Sequence, residues 1–324
     1  MPVEVISTGA INWDVNLFVD TLNPGGVEIP VNKLTRVPGG KAANVAVASA
    51  RLLGKGKAGI LGAVGNDEIG SKQKEIFERE GVDTSGLVFL DSAESGQAYI
   101  LIDPKGRNQI YTHFGANAYL RPDFLMRKEV LDAIGRAKII VAMDPPLDYT
   151  ESLFRRVAEK EGEEGREEKK VVWAPGVRSL GHEQDVIRLL TYVDYLVLNE
   201  QELKGLTYKE TPEEGYSLLA NHSSRVNLVA TLGEKGAMLI GRGKKLVAVG
   251  IDLEKIGRKV VNTVGCGDAF IGCFASSLVE GYSEEESLVR ANAAGAFKAT
   301  QLQTRGSPTS SELQAFMERL KNIP

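Results

Sequence analysis

The feature that most constrains the fold is a repeated alternation of short apolar segments with segments of helical periodicity. Residues 3–11 (VEVISTGAI) precede a helical pattern at 42–54, and residues 57–64 (KAGILGAV) precede another at 71–81. The same alternation returns across residues 137–233. Repeats of this kind pair their strands in parallel through right-handed crossovers. We therefore predict an α/β fold in which a doubly wound, mostly parallel sheet lies between layers of helices.

Two stretches interrupt the alternation. Residues 15–37 and 96–113 look like strands around Pro and Gly turns, and DPKG at 103–106 is typical of a hairpin. We predict that they form a small β-structured insertion on a chain that is otherwise one α/β domain over residues 1–324. The charged run at 159–170 is interpreted as a helix end and loop in contact with solvent.

Charge and composition exclude several classes of protein. A net charge of −4 with no basic stripe argues against nucleic acid as a partner. The first residues do not resemble a signal peptide, and no apolar run is long enough to cross a membrane. The only two cysteines, Cys266 and Cys273, do not suggest a disulfide framework. We expect a soluble, cytoplasmic protein.

A glycine-rich turn, VNTVGCGD at 261–268, directly precedes an apolar helical run. Gly265 and Gly267 can adopt positive φ and let a ligand approach the main chain, and a helix should begin at about Gly267 or Asp268. The unpaired N–H groups and the partial positive charge of a helix start favour an anion. By itself, Asp268 could equally be an ordinary acid in a first helical turn.

Cys266 lies within this turn, where a helix N-terminus can lower the pKa of a thiol. No local motif links the thiol to any of the three histidines as a base. A nucleophilic cysteine is therefore disfavoured.

Other polar residues follow predicted strands, in AINWD (10–14), LNEQE (198–202) and TLGEKG (231–236). In an open α/β sheet ligands bind beyond the carboxyl ends of the strands. These loops and the glycine turn are therefore the predicted site.

Four ordered stretches together resemble the ribokinase or PfkB family of carbohydrate kinases. They are GGKAANVAVASARLLG (39–54) followed by GAVGNDEIG (62–70), then LNEQE, then TLGEKG, and finally NTVGCGDAF (262–270) with ANAAGA (291–296). The resemblance covers nearly the whole chain. It implies a ribokinase-like fold with a small β lid, and a kinase that transfers the terminal phosphoryl group of a nucleotide to a hydroxyl of a ribose-like sugar.

The resemblance assigns the base to Asp268 and an anion hole to the backbone amides of Gly265, Cys266 and Gly267. Phosphoryl transfer requires mainly positioning and neutralisation of developing charge, which a row of amides at a helix start can provide. Asp268 would accept the proton of the attacking hydroxyl.

For the nucleotide, ATP or ADP, the resemblance implies contacts from Asn199, Thr231, Gly233, Asn262 and Asn292, and it makes Glu202 the residue that holds Mg²⁺. Taken alone, Asn199 and Glu202 would be interpreted as a helix cap with a solvated acid. Family members usually have an Asp at the position of Asn262, where it helps to hold a monovalent cation. An Asn keeps an oxygen ligand but loses the charge, so dependence on such a cation stays open.

For the acceptor, the resemblance implies six residues that face the sugar: Asn12, Asp14, Gly40, Lys41, Asn44 and Asp144. Asp144 stands where ribokinase-like enzymes have a Glu. The β insertion would act as a lid that excludes water, and such lids often join two subunits in a homodimer.

Residues 106–120 (GRNQIYTHFGANAYL) resemble a ribokinase segment and favour ribose. A nucleoside, ribose 1-phosphate or inositol kinase would share most of these residues, and Lys41, Arg107 and His113 could neutralise a phosphate on the acceptor. A catalytically silent sugar or nucleotide sensor on the same scaffold is a further alternative. The chain lacks the G-x-G-x-x-G of a dinucleotide-binding oxidoreductase and the G-x-x-x-x-G-K-[ST] of a P-loop kinase.

Overall fold

The structure is a computed structural model that describes residues 3–22, 25–105, 107–159, 169–176 and 181–321. Its strands are β1 Val5–Gly9, β2 Asn12–Val19, β3 Val31–Gly39, β4 Ala58–Gly65, β5 Asp83–Leu90, β6 Gly96–Ile102, β7 Asn108–His113, β8 Ile139–Met143, β9 Lys170–Ala174, β10 Tyr195–Asn199, β11 Asn227–Thr231, β12 Gly236–Gly241 and β13 Lys244–Val249. Its helices are α1 Lys41–Leu53, α2 Glu68–Arg79, α3 Lys128–Arg136, α4 Leu147–Glu159, α5 Glu183–Leu189, α6 Glu200–Thr207, α7 Pro212–Ala220, α8 Cys266–Val279, α9 Glu284–Ala299 and α10 Ser310–Lys321.

Nine of these strands form the central sheet, in the order β13-β12-β11-β10-β9-β8-β1-β4-β5. The strands from β11 to β5 pair in parallel, whereas β12 and β13 are antiparallel to their neighbours. Every residue of β1, β4 and β8 is buried, as expected for strands covered on both faces. The predicted mostly parallel, doubly wound sheet is confirmed.

Alternate residues of the central strands enter two separate cores. Val5 and Val141 pack with apolar residues of α1, α8, α9 and α10. Ile6 and Ile140 point to the opposite face and pack with α3, α4, α5, α6 and α7. The two helical layers therefore follow from the period-two alternation of the strands.

A second sheet has the order β3-β2-β6-β7. The hairpin of β2 and β3 extends over residues 12–39, slightly beyond the predicted 15–37, because its pairing already begins at Asn12 and Gly39. The hairpin of β6 and β7 occupies the predicted 96–113. Its turn closes where the Asp103 amide donates to the Arg107 carbonyl oxygen at 3.0 Å.

The described residues contain no helix that is long and apolar enough to cross a membrane. Most of the charged run at 159–170 lies outside the described residues, so that interpretation stays a prediction.

Close packing of α1 against α8 positions the predicted site. A Cβ atom on Gly272 would lie 2.6 Å from Cβ of Ala48, so only a glycine permits this approach. One turn earlier on each helix stand Asn44 and Asp268, which the same approach brings face to face.

Candidate active site

In the glycine turn, Gly265 adopts positive φ and Gly267 does not. Gly265 caps α8 with φ +87°, and a Cβ there would lie 2.5 Å from the Thr304 carbonyl oxygen. Gly267 does not have positive φ, and a Cβ on it would meet nothing within 4 Å. The prediction of positive φ is therefore wrong for Gly267, because α8 already begins at Cys266.

The amides of this turn differ from one another in their partners. The Cys266 N–H donates to the Thr263 carbonyl oxygen at 3.2 Å. Among the described residues, the amides of Gly265, Gly267 and Asp268 have no acceptor within the protein. The free donors at the start of α8 thus include the expected Gly265 and Gly267, while the Cys266 amide is occupied and the Asp268 amide is free in its place.

The half-buried carboxylate of Asp268 is held by Asn44, whose Nδ2 donates to Asp268 Oδ2 at 2.7 Å. Burial raises the pKa of Asp268, while the Asn44 hydrogen bond and the charges of Lys41, Arg305 and Lys298 lower it. A raised pKa makes a carboxylate a stronger base, and nearby cations favour the ionised form that can accept a proton. Both properties are those of a general base. Asn44 was predicted to contact the acceptor, and in the structure it orients Asp268.

Arg305 is the centre of the network behind Asn44, and sequence reasoning missed it. The side chain is only 6% exposed and stacks on the ring of Phe77 at 5.2 Å. Its Nε donates to Asn44 Oδ1 at 3.1 Å, and its Nη2 donates to the carbonyl oxygen of Gly39 at 2.8 Å and to Gln73 Oε1 at 3.1 Å. Burial lowers the pKa of Arg305 to about 10, which leaves it charged at neutral pH.

Asp14 approaches the same network from the second sheet. The side chain is 7% exposed, and a Cβ on Gly39 would lie 2.1 Å from its Oδ2. Burial raises the pKa of Asp14 from 3.8 to about 7, Arg305 opposes this rise, and the charge of Asp268 adds to it. Asp14 therefore lies within electrostatic reach of Asp268.

Lys41, the first residue of α1, pairs with Asp144, the residue after β8. Lys41 Nζ donates to Asp144 Oδ2 at 3.1 Å, with the lysine side chain 42% exposed and the carboxylate 11% exposed. Asp144 has a left-handed backbone, φ +53°, which is uncommon for an aspartate. Gly40, with φ +93°, lets the start of α1 approach the Asn12 amide, to which a Cβ would come within 2.6 Å.

Asn12 is engaged by neighbours rather than fully available to a sugar. Its Oδ1 accepts from Asn117 Nδ2 at 2.9 Å, and its carbonyl oxygen accepts from Gln73 Nε2 at 2.6 Å. Gln73 thus connects Asn12 to Arg305. Only the Nδ2 donor of Asn12 has no partner in the described part of the chain.

The predicted nucleotide residues gather at the carboxyl ends of β10 and β11. Asn199 and Thr231 are register partners on these strands, and Gly233 follows with φ +59°. Asn199 caps α6 by accepting from the Glu202 amide at 2.8 Å, while Glu202 Oε2 accepts from the Asn199 amide at 3.0 Å. The helix-cap interpretation is therefore confirmed for both residues, and their roles toward nucleotide and metal stay predictions.

Asn262 and Asn292 are also engaged by main-chain groups. Asn262 Nδ2 donates to the Leu302 carbonyl oxygen at 2.8 Å, and its Oδ1 accepts from the Val264 amide at 3.0 Å. Asn292 Nδ2 donates to the Val249 carbonyl oxygen at 2.9 Å, at the end of β13. Asn262 shapes the loop before the turn, and Asn292 contacts the end of β13.

The possible thiolate at Cys266 is not favoured. Burial raises the pKa of Cys266, and the nearby charge of Lys298 only partly opposes this. The lowered pKa that a helix start can cause is therefore overridden by loss of solvent.

Among the described residues, no three His, Cys, Asp or Glu side chains cluster closely enough to form a metal cage. Mg²⁺ does not require such a cage, because it commonly binds through one or two carboxylates together with the phosphates of a substrate. Glu202 keeps one carboxylate oxygen outside the capping box for such a contact.

Comparison with known proteins agrees with this geometry. A family model described as pfkB family carbohydrate kinase matches residues 3–311. The chain is 29% identical to an ATP-dependent ribose-1-phosphate kinase from Halopiger xanaduensis, over 97% of this chain and 98% of that one. It is also 29% identical to a ribokinase from Haemophilus influenzae, over 96% and 97%.

Solved structures of ribokinases share the fold. The Thermotoga maritima ribokinase superposes with a TM-score of 0.83 at 26% identity, covering 98% of this chain and 100% of that one. Arabidopsis thaliana ribokinase, complexed with ribose and ATP, gives 0.84 at 25% identity, covering 98% and 99%. The predicted ribokinase-like fold is confirmed.

Proposed function

Because this chain belongs to the pfkB family of carbohydrate kinases, and so phosphorylates a sugar hydroxyl, we propose that its reaction transfers the terminal phosphoryl group of ATP to ribose or a closely related sugar. The observation that carries the proposal is the pairing of Asp268 with Asn44 at 2.7 Å, directly beside the free amides that begin α8. Base and anion hole then lie within one helical turn.

In this reaction Asp268 accepts the proton of the attacking hydroxyl, and Asn44 holds the carboxylate in position. The amides of Gly265, Gly267 and Asp268 stabilise the negative charge of the phosphoryl group in flight. The long hydrogen bond of the Cys266 amide could be exchanged for a fourth contact. Mg²⁺, held through Glu202, would supply charge neutralisation for the nucleotide phosphates.

The contacts of three basic side chains support a sugar without a phosphate as the acceptor. Lys41 is paired with Asp144, the Arg107 Nε donates to Asp103 Oδ2 at 2.7 Å, and His113 lies 4.0 Å from Glu94. Each of these three basic side chains therefore already faces a carboxylate. The carboxylates of Asp14 and Asp144 provide acceptors for sugar hydroxyls, whose unpaired burial would cost about 1–3 kcal/mol each.

Ribose 1-phosphate is a second candidate. The Halopiger xanaduensis relative carries that activity in its name, and it is as similar to this chain as the Haemophilus influenzae ribokinase. Binding of that acceptor would require Lys41 to leave Asp144 and turn to the phosphate.

The second sheet is proposed to close over the acceptor and to join two subunits. Register pairs place Leu34 on β3 and Tyr99 and Tyr111 on β6 and β7 on the face opposite Asp14. These side chains are 42%, 38% and 52% exposed. An exposed apolar face on a small sheet is suited to burial against a second copy.

The function is tested with an assay of acceptors and donors. Ribose, ribose 1-phosphate, a nucleoside and inositol are each mixed with ATP or ADP, and formation of phosphorylated product is measured. We expect the largest kcat/KM with ribose and ATP. A preference for ribose 1-phosphate would establish the second candidate, whereas ligand-induced thermal shifts without turnover would favour a catalytically silent sensor.

A further inference from the structure

Lys298, near the end of α9, is completely buried, with 0% of its surface exposed. Its Nζ donates to two main-chain oxygens, of Asn262 at 2.9 Å and of Gln301 at 3.3 Å. In the described part of the chain no carboxylate forms an ion pair with it. A buried ammonium without a counter-ion is costly, so its persistence in a fold calls for a nearby negative group or a bound anion.

The ammonium lies directly behind the glycine turn. The amides of Val261 and Asn262 donate to the Ala299 carbonyl oxygen at 2.8 and 3.1 Å, and Asn262 Nδ2 donates to that of Leu302. Lys298 adds the link from its own Nζ to the Asn262 carbonyl oxygen. The segment leading into the anion hole is therefore fixed to the end of α9 partly by a positive charge.

Electrostatic interactions also connect Lys298 to the glycine turn. Burial lowers the pKa of Lys298, but Cys266 and Asp268 both raise it, so both groups lie within electrostatic reach of the ammonium. Main-chain carbonyl oxygens are also the ligands that a hard monovalent cation would use. Asn262 brings no negative charge that would attract a free ion to that position.

We propose that the Lys298 ammonium takes the place of a monovalent cation behind the phosphate-binding turn, so that the enzyme works without potassium or sodium. This inference rests on the proposed kinase function of the turn. Lys298 is a positioning residue: it holds Asn262 and the free amides in place and adds a fixed positive charge to their field. Because this charge is part of the chain, it does not depend on the concentration of a cation in solution.

The test compares wild type with Lys298→Ala, which removes the ammonium and leaves space for a small cation. Both proteins are assayed with ribose and ATP in tetramethylammonium chloride, and then with potassium, sodium or ammonium ions at constant ionic strength. We expect wild-type turnover to change by less than about twofold among these salts. Lys298→Ala should lose about tenfold or more in turnover and regain part of it with potassium or ammonium.

Lys169 provides a matched control, since it is also buried, at 8% exposure, and donates to the main-chain oxygens of Gly135 and Ala137. Lys169→Ala should lower stability without introducing any dependence of turnover on the cation. A purely structural role for Lys298 would make the two variants behave alike.

A second readout separates this inference from the proposed function. The melting temperature in the presence of ATP should be insensitive to potassium in wild type and should rise with potassium in Lys298→Ala. If no sugar is phosphorylated but this pattern holds, the proposed function fails, while the replacement of a bound cation by the Lys298 ammonium stands. Activation of the wild-type enzyme severalfold by potassium would overturn the inference, even if Lys298→Ala did not fold.

Discussion

At the scale of single residues, the site depends on buried and half-buried groups that are held by hydrogen bonds and affected by nearby charges. Asp268 keeps its position through Asn44, and Asn44 through Arg305. Asp14 lies close enough to both Asp268 and Arg305 to feel their charges. A change at any of these positions should therefore alter the position or the charge of Asp268.

Asp14→Asn should change how stability varies with pH. Because the pKa of Asp14 is raised from 3.8 to about 7 in the folded protein, the folded state holds a proton that the unfolded state releases between these values. Its contribution to stability therefore falls as pH rises from 3.8 to about 7 and then stays constant. The ligand-free Asn variant should lose this slope and be more stable at neutral pH by at most a few kcal/mol.

Denaturant unfolding of both proteins at several pH values measures the effect. Equal slopes for wild type and variant over this range would show that Asp14 is already ionised in the ligand-free protein.

Gly267→Ala tests the open side of the turn. Its backbone does not require glycine and an added Cβ meets no protein atom within 4 Å, so the substitution should keep or slightly raise stability, by up to about 1 kcal/mol. The methyl group would nevertheless stand beside the free amides, and kcat/KM should fall by about tenfold or more. Thermal unfolding and steady-state kinetics give the two values, and unchanged kinetics would mean that no phosphoryl group approaches there.

At the scale of elements, the site is made by the first turns of two packed helices, α1 and α8. The loop after β3 leads into α1, and the glycine turn leads into α8. Their contact at Ala48 and Gly272 sets the distance between Asn44 and Asp268 one turn away. The position of the base therefore depends on helix packing as well as on its own loop.

Gly272→Ala should separate these helices. The new Cβ would lie 2.6 Å from that of Ala48, and overpacking of this kind costs about 1–3 kcal/mol. Turnover should fall with stability because Asp268 moves away from Asn44, and Ala48→Gly in the same chain should restore part of both. Gly135→Ala, in α3, is the control, since a Cβ there meets nothing within 4 Å. Full activity in a destabilised Gly272→Ala variant would contradict this prediction, because it would show that the contact between α1 and α8 does not position Asp268 for catalysis.

How far the sequence predicted this site depends on the kind of signal. Alternating strand and helix patterns predicted the sheet and its layers, because the period of a pattern is a local property. Gly265 and Asp268 were found because the turn carries its own signature. Arg305 and Lys298 were missed, since an arginine in TRGSPT and a lysine in GAFKAT look like surface charges until tertiary packing buries them.

The expected roles of Asn44 and Cys266 changed for a similar reason. The Asn44 amide finds Asp268 only when α1 and α8 are packed together, which no local pattern encodes. Whether an amide or a thiol at a helix start is free also depends on burial and on partners elsewhere in the chain.

At the scale of the whole molecule, the second sheet presents Asp14 on one face and exposed apolar side chains on the other. If the apolar face joins two subunits, Tyr111→Glu should convert a dimer into a monomer, because it buries a charge in the interface. Light scattering coupled to size-exclusion chromatography measures the mass, with Val289→Glu, at an exposed valine of α9, as control. A wild-type monomer would remove the proposed interface.

The central claim is that Asp268 removes a proton from a sugar hydroxyl while the amides at the start of α8 hold the transferred phosphoryl group. Asp268→Asn tests it most directly, since the amide keeps the size of the side chain and loses the base. We expect turnover to fall by about two orders of magnitude or more, while ATP affinity measured by calorimetry changes little. Turnover near that of wild type, in a folded variant that binds ATP, would contradict the account.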